Sequence, residues 1–178
     1  VYFIDNDEYF KRKATFTDED GELFADNDER AIFFAKGVVE TVKKLNWVPD
    51  IIHVHGWMAA MLPIYMKHFY KNEALFSDTK IVTSVYGQSF DGSLDVEMIN
   101  KIKFDGVPND SILDLETPNY ENIMKATINH SDAVIIASEN LTSSLTKFIE
   151  SSGKPFLPFA SKDNFAESYS NFYKNFVL

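Results

Sequence analysis

Cysteine is absent from the 178 residues. Its absence excludes disulfides, zinc–thiolate sites and a thiol nucleophile, and it suits a reducing, cytoplasmic setting. No run of ~18 apolar residues occurs, so no membrane-spanning helix is expected, and no signal-peptide pattern is visible. Basic residues are outnumbered: 17 Lys and Arg stand against 27 Asp and Glu, a net charge of −10. A surface of that sign repels nucleic acid and anionic membranes as partners. Internal repeats and low-complexity segments are also missing. What is abundant is apolar residues, 45% of the chain, with 16 Phe and 8 Tyr. That composition argues against disorder, and the length suits one domain with a core and clefts rich in rings.

"VYFID" (Val1 to Asp5) has the pattern of a buried strand, so further chain is expected before Val1. The acidic run "DEDGELFADNDE", Asp18 to Glu29, reads as a solvated loop; the ligand spacing of an EF-hand is lacking. Asn27 or Asp28 is placed to cap a helix starting near Glu29, with Ile32, Ala35, Val39 and Val42 on its apolar stripe. "DIIHVH" is the next strand. A helix follows from about Trp57 to Tyr70, with a kink expected at Pro63. "KIVTSVY" (Lys80 to Tyr86) is a third strand, rich in β-branched residues. A short helix is expected around Val96 to Lys103. "NYENIMKATINHS" is helical and "DAVIIAS" is a fourth strand. Ser138 is placed to cap a helix through about Ser151. A last amphipathic helix is expected from Lys162 to about Phe176, with Phe165, Tyr169, Phe172 and Phe176 on one face. Over residues 162–178 it is expected to dock on the domain and to end the chain.

Strands alternating with helices imply an α/β fold: a Rossmann-like, three-layer αβα sandwich with a mainly parallel sheet. In such sheets ligands bind outside the carboxyl ends of the strands. "HVHGW", "VYGQSFDG" and "IASEN" end strands and should share that edge. The candidate binding residues there are His55, Gly56, Trp57, Tyr86 and Gln88. His53 lies between Ile52 and Val54, which favours a packed, hydrogen-bonded histidine. His53 and His55 share a strand face, but no third metal ligand accompanies them. His68 and His130 end helices, where a favourable dipole contact explains them. Trp57 opens a helix beside the cleft, either as core or as a stacking platform. No catalytic, cofactor or metal residue is assigned.

The order of motifs resembles the N-terminal half of the bacterial glycogen and starch synthases. "VYFIDNDEYFKRK" is similar to that family's VYFID-x-x-x-x-F-x-R, and "NDERAIFFAKGVVE" to its N-x-x-R-F-x-x-F-x-x-A helix. "PDIIHVHGW" resembles P-D-I-x-H-x-H-D-W, "KIVTSVYGQSFDG" takes the place of K-x-V-F-T-I-H-N-x-x-Y-Q-G, and "NIMKATINHSDAVIIAS" is similar to N-x-x-K-x-x-I-x-x-A-D-x-V-x-T-V-S. The resemblance implies the N-terminal domain of a two-domain GT-B glycosyltransferase. It implies metal-free glucosyl transfer from ADP-glucose or UDP-glucose to an α-1,4-glucan, with retention. By the same resemblance the N-terminal domain mainly holds the acceptor, and the C-terminal domain holds the nucleotide.

Gly56 stands where the motif has an acid, and Tyr86 and Gly87 stand where it has His and Asn. Lys125 matches the family's helix lysine and suits a surface role as well as a ligand role. Two functions stay open. One is a glucosyltransferase domain, inactive as this chain alone because no glycine-rich phosphate loop is visible. The other is a non-catalytic carbohydrate-binding or assembly domain. An α-glucan, a nucleotide sugar and a partner chain or second copy are the candidate partners.

Overall fold

The computed structural model describes residues 1–161 and 163–178. Four parallel strands form one sheet in the order β1 (Ile51–His55), β2 (Lys80–Val85), β3 (Ala133–Ile136), β4 (Phe156–Leu157). Ile51 is in register with Lys80, Val82 with Ala133, and Val134 with Phe156. The helices are α1 (Asp7–Phe10), α2 (Asn27–Lys44), α3 (Met61–His68), α4 (Met98–Phe104), α5 (Tyr120–Asn129), α6 (Ser143–Ser151) and α7 (Phe165–Phe172). A π-turn, Tyr173–Val177, continues α7.

The strand order explains the layers. Each crossover steps to the next neighbour in the same direction, and right-handed crossovers then place their helices on one face. Helices α3 and α5 pack together there with α2 and α6. Alternate strand residues Val54, Ile81, Val85 and Val134 point into that core, beside Met61, Ile64, Tyr65, Ile123 and Met124. The other face presents Val82, Ala133 and Ile135, which are covered by Phe172 and Val177. The α/β parallel sheet covered on both faces is therefore the observed architecture. No helix of the described residues is long and apolar enough to cross a membrane.

Several local expectations are corrected. Val1 to Asp5 forms no strand; Val1, Tyr2 and Phe3 are exposed. An apolar run becomes a strand only when a neighbour pairs its backbone, and none of the described residues does so. Helix α2 begins at Asn27 with Asp26 as its cap residue, and no side chain bonds to its free amides. Asp26 instead grips Arg12 through both carboxylate oxygens, at 2.7 and 2.5 Å. Asn27 and Asp28 are fully buried: Asn27 donates to the Phe16 carbonyl, and Asp28 accepts from Lys101 at 2.7 Å. The acidic run is thus a solvated loop only in its first half. Pro63 falls in the first turn of α3, where an amide would have no helical partner, so it causes no break. Thr142, not Ser138, caps α6, accepting from the Leu145 amide. The expected start of the last helix at Lys162 lies outside the described residues, and α7 proper begins at Phe165. The two-residue strand β4 was not foreseen in "GKPFLPF", because an edge strand that short carries no periodicity.

Candidate functional site

Strand β1 ends at His55, and the chain turns at Gly56 with φ 72° and ψ 167°. Almost only glycine adopts that backbone. The turn delivers Trp57 into a short 3-10 segment, Trp57–Ala59, ahead of α3. Strand β2 ends one residue before Tyr86. Helix α5 fixes the exit of β2: the Tyr120 hydroxyl donates to the Tyr86 carbonyl at 2.5 Å, and burial pushes the Tyr120 phenol up to about 12.

These strand ends open into a cavity of about 770 Å³, within the roughly 300–1,000 Å³ of ligand pockets. His55, Gly56, Trp57, Tyr86 and Gln88 all line it. The β2 loop adds Ser89, Phe90 and Asp91. A flap closes the remaining side with Phe16, Thr17, Glu22 and Leu23, the last two from the acidic run expected to be a solvated loop. Thr17 and Leu23 form an antiparallel bridge, and the Asp18 carboxylate accepts from the amides of Asp20 and Glu22. Gly21, at φ 85°, completes the turn. Asp and Gly in "DEDG" are the turn signal that could have revealed this flap.

The five residues differ in what they can offer a ligand. Trp57 is buried between Phe16, 4.8 Å away between ring centroids, and Phe90, 5.0 Å away. It is the packed floor of the cavity, and the stacking alternative has little free ring face to work with. Gln88 is exposed. His55 stands at the rim, and its Nδ1 lies 2.7 Å from the Tyr86 hydroxyl. Protein around His55 displaces water and lowers its pKa below the ordinary histidine value. Burial raises the Tyr86 phenol. A neutral imidazole and a neutral phenol are therefore paired at the mouth. The Tyr86 hydroxyl returns to His55 and does not project freely into the cavity.

Gly87 has its own reason to be small. A Cβ there would stand 2.5 Å from Asn140 Oδ1 and 3.0 Å from the Asn140 carbonyl. The loop after β3 thus occupies the space that any side chain at position 87 would need.

His53 is half-buried behind the site. Its Nδ1 lies 2.6 Å from the Tyr173 hydroxyl, its Nε2 2.8 Å from Ser84 Oγ, and its ring centroid 3.9 Å from that of His55, the two planes inclined at 40°. Burial, with a smaller contribution from neighbouring His55, pushes its pKa down to about 4. Ser84 and Tyr173 were missed by sequence reasoning; nothing local in the sequence marks a tyrosine 120 positions away as a partner. His130 does cap its helix, with its Nδ1 2.7 Å from the Ala126 carbonyl, but not as a cation on the helix dipole. Its Nε2 meets that of His68 at 3.1 Å, and burial lowers both pKa values. Lys125 pairs with Glu121 at 2.7 Å on the surface of α5, away from the cavity.

Comparison with known proteins agrees with the architecture. The glycogen synthase of Chlorobium limicola is 42% identical over 103 residues, 57% of this chain and 21% of that protein. The glycogen synthase of Elusimicrobium minutum is 33% identical over 151 residues, 82% of this chain and 30% of that protein. The structure of the catalytic domain of starch synthase IV from Arabidopsis thaliana bound to ADP and acarbose shares the fold. Its TM-score is 0.60 over 79% of this chain and 31% of that one, at 18% identity. The chain spans less than a third of the length of these curated relatives. A family model described as the starch synthase catalytic domain matches residues 1–153, and the chain belongs to that family.

Proposed function

We propose that the cavity at the carboxyl edge of the sheet is the carbohydrate side of a nucleotide-sugar glucosyltransferase cleft. It would hold an α-1,4-glucan and the glucose being transferred from ADP-glucose or UDP-glucose. The observation that carries this reading is the chemistry of the lining. His55, Gln88, Ser89, Asp91 and Glu22 offer polar groups beside aromatic rings, and no Lys or Arg is among the described residues that line the cavity. A neutral polyol needs that mixture of hydrogen-bonding groups and apolar surface. A pyrophosphate needs cations or converging amides. Relatives named glycogen synthase support the substrate class. The ADP and acarbose bound by starch synthase IV suggest the two probes, one nucleotide and one glucan-like. The phosphate-binding half of the cleft would come from further chain or from a partner. Gly56 and Tyr86, standing where the family motif has an acid and a His, favour a second reading of glucan binding without transfer.

Calorimetric titration separates these readings. Maltoheptaose should bind with a Kd on the order of millimolar, near −4 kcal/mol, because half a cleft buries little ligand. ADP should bind more weakly still. Radiolabel from ADP-glucose should not enter glycogen with the 178 residues alone, and should do so once a complementary nucleotide-binding domain is supplied. Glucan binding with no transfer under either condition favours the second reading. Absence of glucan binding overturns both.

A further inference from the structure

Helices α3 and α5 pack together, and each leads into a strand, so their C-terminal ends lie toward the amino edge of the sheet, opposite the cavity. His68 ends α3, and His130 caps α5. Their Nε2 atoms are 3.1 Å apart, with the ring planes inclined at 66°. Neither residue lines the cavity at the strand ends.

One end of this pair is fixed by chemistry. His130 Nδ1 lies 2.7 Å from the Ala126 carbonyl, and a carbonyl only accepts, so that nitrogen carries the proton. Neutral His130 therefore turns a bare Nε2 lone pair toward His68, whose own Nε2–H fills the gap. A ring whose Nδ1–H is held by a backbone carbonyl, leaving Nε2 free, is how proteins orient metal-ligating histidines. Burial keeps both imidazoles in the neutral form that a metal requires. His130 is buried and anchored; His68 is only half-buried, so it can shift its proton from Nε2 to Nδ1 and offer a second lone pair.

The spacing fits an ion. Imidazole nitrogens bind zinc at roughly 2.0–2.1 Å, and two such bonds to nitrogens 3.1 Å apart meet at an angle of about 100°. That lies between square and tetrahedral arrangements, so the nitrogens need not separate. Asp110 lends negative charge to His68 and Asp114 to His130, against Lys71 and Lys154. No cluster of three His, Cys, Asp or Glu able to hold a metal exists among the described residues, so water completes the shell.

We propose that His68 and His130 form a two-histidine site for a divalent transition-metal ion of the zinc, nickel and copper group, and that the bound ion braces the ends of α3 and α5. The site is independent of the carbohydrate reading of the cavity.

Zinc chloride titrated into the whole chain, read by imidazole 15N NMR and thermal unfolding, tests this. Without metal, His130 should carry its proton on Nδ1 and His68 on Nε2. Zinc should leave the His130 proton in place, move that of His68 to Nδ1, and raise Tm, because the two nitrogens meet only in the folded chain. His68→Ala should weaken zinc binding about tenfold or more and abolish the rise in Tm. Magnesium, which seeks oxygen ligands, should shift neither imidazole. Zinc that spares His68 and His130 while moving His53 and His55, or that binds His68→Ala as tightly as wild type, overturns the proposal. So does a metal-free His130 protonated on Nε2. If His68→Ala does not fold, the wild-type spectra with and without zinc decide alone.

Discussion

Acidification should weaken this fold through His53, and the size of the effect follows from its surroundings. In the folded chain its pKa lies at about 4, because burial and the nearby His55 disfavour the cation. In the unfolded chain an ordinary histidine titrates near ~6.5. The depressed value means that the folded state prefers the neutral ring. The stability this contributes is complete above pH ~6.5 and is lost as pH falls toward 4, since the unfolded chain takes up the proton first. Between pH 7.5 and 5 the loss is about 2 kcal/mol, and it approaches about 3 kcal/mol near pH 4, as upper figures for a half-buried group. For a chain of this size 2 kcal/mol is roughly 4–8 °C in Tm. His55, His68 and His130 are lowered too and add to the slope. Urea unfolding of wild type and His53→Gln at both pH values isolates the one group. The variant should lose less stability than the wild type on acidification, by up to about 2 kcal/mol. Equal losses in the two proteins would mean that His53 titrates normally in the fold and that its contacts to Ser84 and Tyr173 do not exclude water.

Gly56→Ala should lower stability by about 1–3 kcal/mol in thermal unfolding, because the backbone at φ 72° and ψ 167° is nearly closed to side-chain-bearing residues; an unchanged Tm would refute this. Gly56→Asp should carry the same cost, for the same backbone reason. Trp57→Ala should cost about 3–5 kcal/mol, the range for emptying a large aromatic site, because its ring is packed between Phe16 and Phe90. A normal Tm with glucan affinity alone lost would instead make it a stacking platform. Gly87→Ala should destabilise the chain, and Asn140→Gly in the same chain should recover part of the loss, since the added methyl meets Asn140 first. Additive effects of the two changes would argue against that contact.

The elements that the sequence announced best are those whose pattern and environment agree. β1, β2 and β3 are β-branched or apolar runs bounded by turn residues, and α5 carries both a cap, Asn119, and a sharp apolar stripe. Prediction failed where long-range partners decide. Val1 to Asp5 has strand composition but no pairing neighbour among the described residues. Asn27 and Asp28 look like caps, yet Phe16 and Lys101 draw them inward. The candidate site was legible as a place, because the carboxyl edge of a parallel sheet follows from topology. Its workings were less so. That Trp57 is a floor, that Tyr86 closes onto His55, and that Tyr173 reaches His53 are facts of tertiary packing, for which neither periodicity nor spacing gives a signal.

The most direct test is chemical-shift mapping with maltooligosaccharides of increasing length. A carbohydrate cleft at the strand ends predicts that maltoheptaose at millimolar concentration moves the signals of His55, Tyr86, Gln88 and the Phe16–Leu23 flap together. It also predicts larger shifts with longer oligosaccharides, and still signals at Lys125, which pairs with Glu121 and does not line the cavity. If those residues stay unmoved at high millimolar maltoheptaose, or if the shifts cluster elsewhere, the cavity is not a glucan site.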